Sequence, residues 1–168
     1  MWEGGIAPAL RAEGHGSLSW NLRGQDRSET APDRVLDTPL VVGDAQRLME
    51  EVKPPRPVYV GLSIGGLYAA RAHLNGSRAE ALVLINTLRR DGPRLQWINE
   101  ALFRCVRVGG TRLLKDLFAP RLFNEAFLAE NRESMLTDEP YEPLPPEHGH
   151  YRLLRDGRST DWDLPYEQ

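Results

Sequence analysis

Apolar and polar positions recur with two different periods along the first half of the chain. Trp2, Ile6, Ala9 and Leu10 fall on one helical face, and Gly14 is placed to end that helix. Leu18, Trp20 and Leu22 then alternate with Ser19 and Asn21, which predicts a strand over 17–22, and Arg23-Gly24-Gln25-Asp26 turns the chain away. Thr38 as cap and Pro39 at the first position predict a second helix, in which Val41, Ala45, Leu48, Met49 and Val52 repeat at helical spacing as far as Pro54-Pro55. Val58-Tyr59-Val60-Gly61-Leu62 is short and β-branched and runs directly into Ser63 and the helix-forming stretch Leu67–Leu74, closed by Asn75-Gly76. Ala81–Ile85 is almost continuously apolar, the pattern of a strand buried on both faces. Helices alternating with short apolar strands predict an α/β architecture, with parallel strands flanked by helices.

After Asn86-Thr87 the pattern changes. From Arg94 to about Met135 the spacing is helical, punctuated by Gly109-Gly110 and Ala119-Pro120, with no strand-like alternation, which predicts a separate helical layer. Trp97, Phe103, Phe118, Phe123 and Phe127 are its natural core, or some of them line a pocket; spacing does not separate the two roles. Cys105, among Leu102, Phe103 and Val106, reads as a structural thiol. Four prolines between Asp138 and His150 predict an irregular strap, and Asp161–Gln168 reads as the lead-in to another element.

Composition narrows the function classes. In 168 residues, 21 basic and 24 acidic side chains leave a net charge of −3, so no basic footprint for a nucleic acid exists at whole-chain level. A single cysteine makes no internal disulfide, no apolar run is long enough for a membrane span, and the first residues lack the basic and apolar regions of a signal peptide. A cytoplasmic location is expected. No glycine-rich phosphate loop and no ligand cluster is present, so no cofactor and no metal are expected.

The chemistry concentrates at Gly61-Leu62-Ser63-Ile64-Gly65, which matches the nucleophile-elbow pattern G-x-S-x-G. At such an elbow a strand turns sharply into a helix and holds the serine in a strained backbone conformation, while Gly61 and Gly65 give the strand and helix clearance. The helix start aims the Ile64 N–H and the positive end of the helix dipole at the place where an oxyanion develops during acyl transfer. The bare pattern arises by chance in roughly one such chain in twenty, so its position between a strand and a helix carries the argument.

On these residues the chain resembles the α/β-hydrolase superfamily, in particular its small cap-bearing esterase-like members, and the likeness spans nearly all of it. Trp20-Asn21-Leu22-Arg23-Gly24-Gln25-Asp26-Arg27-Ser28 is similar to the segment after the family's fourth strand, written D-x-R-G-x-G-x-S, from which Asn21 and Asp26 depart. The resemblance implies a partial hydrolase core over 1–92, a helical cap with its strap over 93–160, and a lead-in to further core strands over 161–168. It also implies that the histidine base and the acid of the triad, and the second oxyanion donor, lie on segments outside these 168 residues. In the family's sheet a strand lies between the one resembled by 17–22 and the one resembled by 57–62. The edges left open there invite a complementing chain or self-association.

Within the chain, His73 lies about ten residues into the elbow helix, roughly 15 Å along its axis from Ser63, and is expected to pack or face solvent. His15-Gly16 reads as a helix-to-strand connection, and His148 and His150 have the spacing of a metal pair but no third ligand. Asp91 is the one acid placed where a variant triad keeps its carboxylate, with a turn role in Arg90-Asp91-Gly92-Pro93 as the alternative. Two functions follow as expectations. One is a serine hydrolase of a small ester or related small-molecule acyl substrate, through Ser63 and an acyl-enzyme, inactive as this isolated chain without its base. The other is a non-catalytic binding or interaction protein that keeps the elbow for folding.

Overall fold

The computed structural model describes residues 2–88 and 90–165. Seven-residue helix α1 (Ile6–Ala12) closes with a glycine-centred cap: Gly14 adopts φ +82°, the His15 N–H donates to the Leu10 carbonyl, and the Gly14 N–H donates to Arg11. Helix α2 (Thr38–Val52) is capped one residue earlier than expected. The Asp37 carboxylate, rather than the Thr38 hydroxyl, accepts from the Leu40 N–H at 3.0 Å, leaving Thr38 and Pro39 inside the first turn. Strand β1 (Val58–Leu62), helix α3 (Ile64–Leu74) and strand β2 (Ala81–Ile85) follow, and β1 pairs with β2 in parallel, Val60 opposite Val83 and Leu62 opposite Ile85.

Two expectations about this sheet fail, for one reason. Residues 17–22 form no strand, because pleated spacing makes a strand only beside a ladder partner, and β1 pairs with β2 alone among the described residues. Likewise β2 is covered on one face only: Leu82 and Leu84 are half-buried, while Ala81, Val83 and Ile85 are exposed.

The covered face packs on α3. Val41, Val42 and Ala45 of α2 meet Tyr68 and Ala72 of α3, with Leu22, Tyr59 and Ile64 against them. Burial pushes the Tyr68 hydroxyl up to about 12. Leu67 of α3, with no exposed surface, joins Leu95 and Trp162 in a second cluster. The segment read as a lead-in is therefore docked on the core. Arg71 holds it, donating to the Asp161 carboxylate and to the carbonyls of Asp161 and Asp163. Tyr166 to Gln168, part of the same expectation, lie outside the described residues.

The helical layer consists of α4 (Pro93–Leu122), α5 (Glu125–Met135), α6 (Gly149–Asp156) and a 3-10 turn at Gly157–Ser159. Helix α4 kinks at Gly109-Gly110, where Gly110 takes φ +67°. The strap crosses at the kink, and the Leu144 N–H takes the Val106 carbonyl at 2.9 Å, an acceptor that a continuous helix would have kept for itself. Of the aromatics expected to form the layer's core, Phe103 is buried against Tyr151 and Phe118 is half-buried. Trp97 is 81 % exposed, and Phe123 and Phe127 stack on each other at the surface. Helical spacing marks a face, not what covers it.

Helix α6, unanticipated inside the region after the prolines, anchors the layer to the core. Its buried Arg152 donates to the carbonyls of Ala31 and Arg34, and Asp156 accepts from the Leu36 N–H at 2.8 Å. Burial pushes the Asp156 carboxyl up, but the Arg155 hydrogen bond, the Leu36 N–H and the charges of Arg155 and Arg152 outweigh it and hold the group below its ordinary 3.8. A carboxyl depressed on folding stabilises above its unfolded value and loses that contribution as pH falls through the folded one. Asp156→Asn is therefore expected to lower the urea midpoint at pH 7, by about 1 kcal/mol of stability, and to flatten the loss of stability below about pH 4. An unchanged acid limb in urea titrations at pH 7, 5, 4 and 3 would count against this anchor.

Candidate active site

Ser63 stands between the last residue of β1 and the first of α3, with φ 53° and ψ −123°, a region that side chains other than glycine's rarely enter. Three hydrogen bonds hold it there. Its N–H donates to the Ile85 carbonyl at the end of β2 (2.9 Å), and its own carbonyl accepts from the Gly66 N–H (3.0 Å) and the Thr87 hydroxyl (3.1 Å). The side chain is exposed. Ile64 occupies the first position of α3, where no carbonyl one turn earlier is available to its N–H. That donor and the positive end of α3 lie beside the serine, the arrangement an oxyanion needs.

The clearance comes from a different pair of glycines than the motif suggests. A Cβ on Gly61 would overlap the Cα and N of Gly66 and the carbonyl carbon of Gly65, whereas a Cβ on Gly65 would meet nothing within 4 Å. A Cβ on Gly66 would overlap the Thr87 side chain. Gly66 and Thr87 are thus the elbow residues that sequence reasoning missed. The Gly65-Gly66 doublet was the available signal.

Among the described residues, none of the other candidates hydrogen-bonds Ser63. The Asp91 carboxylate accepts from the Gly92 N–H (2.7 Å) and the Gln96 amide (3.1 Å) at the start of α4, the turn role. His73 Nδ1 accepts from the Ala79 N–H, closing the loop between α3 and β2. His148 Nδ1 accepts from the His150 N–H and so caps α6, and the two rings lie 5.5 Å apart. Burial, then the neighbouring His148, hold His150 below its usual value. Among the described residues no three metal-ligating side chains cluster. Burial raises the Cys105 thiol, in keeping with a structural role.

The turn after residue 22 carries its own departures from the pattern it resembles. Asn21 and Asp26, the two unmatched positions, hydrogen-bond each other at 3.0 Å, and Asp26 takes the positive φ (47°) of a position the pattern gives to glycine. Arg23 makes a two-pronged ion pair with Asp44 of α2. Gly24 lies so close to Gly149 that a Cβ on either would overlap the other's backbone, so the turn packs against the start of α6. A separate cavity of about 290 Å³ lies between α4 and α5, lined by Ala119, Leu128 and Met135 with Lys115, Asp116 and Arg132, and does not include Ser63.

With this geometry in view, the sequence pattern of the Alpha/beta hydrolase family matches residues 1–167. The chain belongs to that family. Three solved structures share the hydrolase fold. BpoC of Mycobacterium tuberculosis H37Rv is 20 % identical with a TM-score of 0.64, over 98 % of this chain and 62 % of that one. MenH of S. aureus is 16 % identical with a TM-score of 0.60, over 84 % and 56 %. The esterase EaEST of Exiguobacterium antarcticum is 18 % identical with a TM-score of 0.58, over 84 % and 55 %. The chain therefore spans little more than half the length of these hydrolase-fold structures. No curated protein matches it in sequence. Among the described residues of this hydrolase-family chain, no helix is long and apolar enough to cross a membrane.

Proposed function

We propose that the protein is a serine hydrolase acting on a small ester or related acyl substrate, with Ser63 as nucleophile. The observation that carries this reading is the strained, exposed serine clamped between β1 and α3 beside the first N–H of the helix, which has no backbone partner among the described residues. In the reaction the Ser63 hydroxyl oxygen attacks the acyl carbon, a base takes its proton, and the Ile64 N–H stabilises the tetrahedral oxyanion. The leaving group departs with a proton, and water then hydrolyses the acyl-enzyme. The histidine base and its acid are supplied from outside these 168 residues, so the chain by itself turns over little substrate. No cofactor takes part, and a cytoplasmic location fits the lone cysteine.

A second reading, a ligand-binding protein that keeps the elbow for its fold, is favoured by one observation. No histidine among the described residues hydrogen-bonds Ser63, and a serine hydroxyl is a weak nucleophile without a positioned base. A fluorophosphonate probe decides between the two in the protein with its sheet completed. Stoichiometric labelling at Ser63, lost in Ser63→Ala, is expected; binding of acyl ligands without labelling assigns the second reading.

A further inference from the structure

The Ser63 carbonyl and the Ile64 N–H are the two ends of one peptide group. That group is planar and trans, so its oxygen and its hydrogen point in opposite directions, and whatever holds the oxygen aims the hydrogen. Two donors converge on the oxygen from different elements: the Gly66 N–H of α3 at 3.0 Å, and the Thr87 hydroxyl, two residues beyond β2, at 3.1 Å. The first is a tight-turn bond of the kind that often opens a helix. The second is provided by a side chain, and the surrounding chain makes room for it.

Asn86, directly before Thr87, takes φ +49°, a left-handed conformation that breaks the pleat after Ile85. Half-buried Thr87 then lies over Gly66, where a Cβ would overlap Thr87 Oγ1. Glycine in a helix is less stable than alanine by roughly 0.5–1 kcal/mol, and at position 66 the space it leaves is filled by the hydroxyl on the Ser63 carbonyl. The Ile85 carbonyl accepts from the Ser63 N–H, so residues 85–87 grip the peptide groups on both sides of Ser63.

We propose that Thr87 is a positioning residue for the oxyanion. Its hydroxyl, holding the Ser63 carbonyl from outside the helix, fixes the direction of the Ile64 N–H and polarises the shared peptide group so that this N–H donates more strongly. The role deepens the reading of Ser63 as nucleophile and rests on it. Negative charge gathers on the substrate oxygen only as the tetrahedral state forms, so a well-aimed donor acts on kcat more than on KM.

Thr87→Val, close in shape without the hydroxyl, and Thr87→Ser, which keeps it, test this role; Thr87→Ala repeats the loss with a smaller side chain. In the 168-residue chain, the Ile64 amide nitrogen resonance, which responds to hydrogen bonding of the carbonyl in its own peptide group, is expected to move upfield in Thr87→Val and to return in Thr87→Ser. The Tyr68 and Ala72 amides should stay in place. In the protein with its sheet completed, turnover of p-nitrophenyl acetate is measured per Ser63 titrated with a fluorophosphonate, which removes any loss of folded protein from the comparison. Thr87→Val and Thr87→Ala are expected to lower kcat by about 10- to 100-fold with KM within about twofold, part of the loss that follows removal of an oxyanion donor. Thr87→Ser is expected to recover kcat to within about threefold of the parent. A parent that neither labels nor turns over would remove the nucleophile reading, and this role with it. A labelled, active parent whose kcat is unchanged in Thr87→Val, or an Ile64 nitrogen that does not move, would overturn the role of Thr87 alone.

Discussion

Gly61→Ala is expected to destabilise the chain by about 3 kcal/mol or more, whereas Gly65→Ala is expected to leave it unchanged or up to about 1 kcal/mol more stable. Both glycines belong to the elbow pattern, and both lie within two residues of Ser63. The difference lies in what a methyl group meets. At Gly61 it meets the backbone of Gly65 and Gly66, which cannot rotate aside. The strand-to-helix approach must widen, pulling α3 off β1 and loosening Tyr59 and Ile64 from the cluster around Val42 and Tyr68. At Gly65 the methyl points into open space, and alanine gains the helical preference that glycine lacks. Gly66→Ala should fall between them, because its obstacle is the Thr87 side chain, which can turn away at the expense of its bond to the Ser63 carbonyl. Urea midpoints at equal m-values measure all three. Equal midpoints for the Gly61 and Gly65 variants would mean that the elbow is not packed as described.

How much of this was legible follows from where the determining interactions lie. The strands at 58–62 and 81–85 and the helix after Ser63 have boundaries set by local chemistry: β-branched runs, a glycine-rich turn, and Asn75-Gly76 at the helix end. Those boundaries were read correctly. Residues 17–22 carry the right alternation and still make no strand, because the ladder partner is not a property of the segment itself. The same holds for the burial of β2, where continuous apolarity reports a preference for cover and not its presence. Helix α6 follows four prolines and is capped by His148, an unusual cap, so the usual starting signals gave no warning of it. Its attachment through Arg152 and Asp156 spans about 120 positions of sequence and has no local signature. At the site, the motif located Ser63 and Ile64, but the second clearance glycine depended on the direction of Cβ at the start of α3, which only coordinates give.

The largest functional effect is expected at Ser63, where stability and turnover should move in opposite directions. Ser63→Gly removes the nucleophile but suits φ 53°, ψ −123° without a side-chain clash. Strain at such a residue costs of order 1–3 kcal/mol, and the greater freedom of glycine in the unfolded chain offsets about 0.5–1 kcal/mol, so a net gain near 1 kcal/mol is expected. Ser63→Ala keeps the Cβ and the strain, and its stability should stay within about 0.5 kcal/mol of the parent. On the proposed function, both variants of the protein with its sheet completed are expected to lose turnover of p-nitrophenyl acetate by a factor on the order of 10⁶, the loss seen when the nucleophile of a serine protease triad is removed. The pair separates two explanations of the elbow. If the conformation is held for catalysis, the backbone bonds from Ile85, Gly66 and Thr87 bear a cost that disappears with the side chain, and the glycine variant is the more stable and the inactive one. If the turn serves the fold alone, serine has no reason to occupy a glycine-like position. A glycine variant no more stable than the alanine variant, with turnover retained in either, would remove both the strain and the nucleophile from the account.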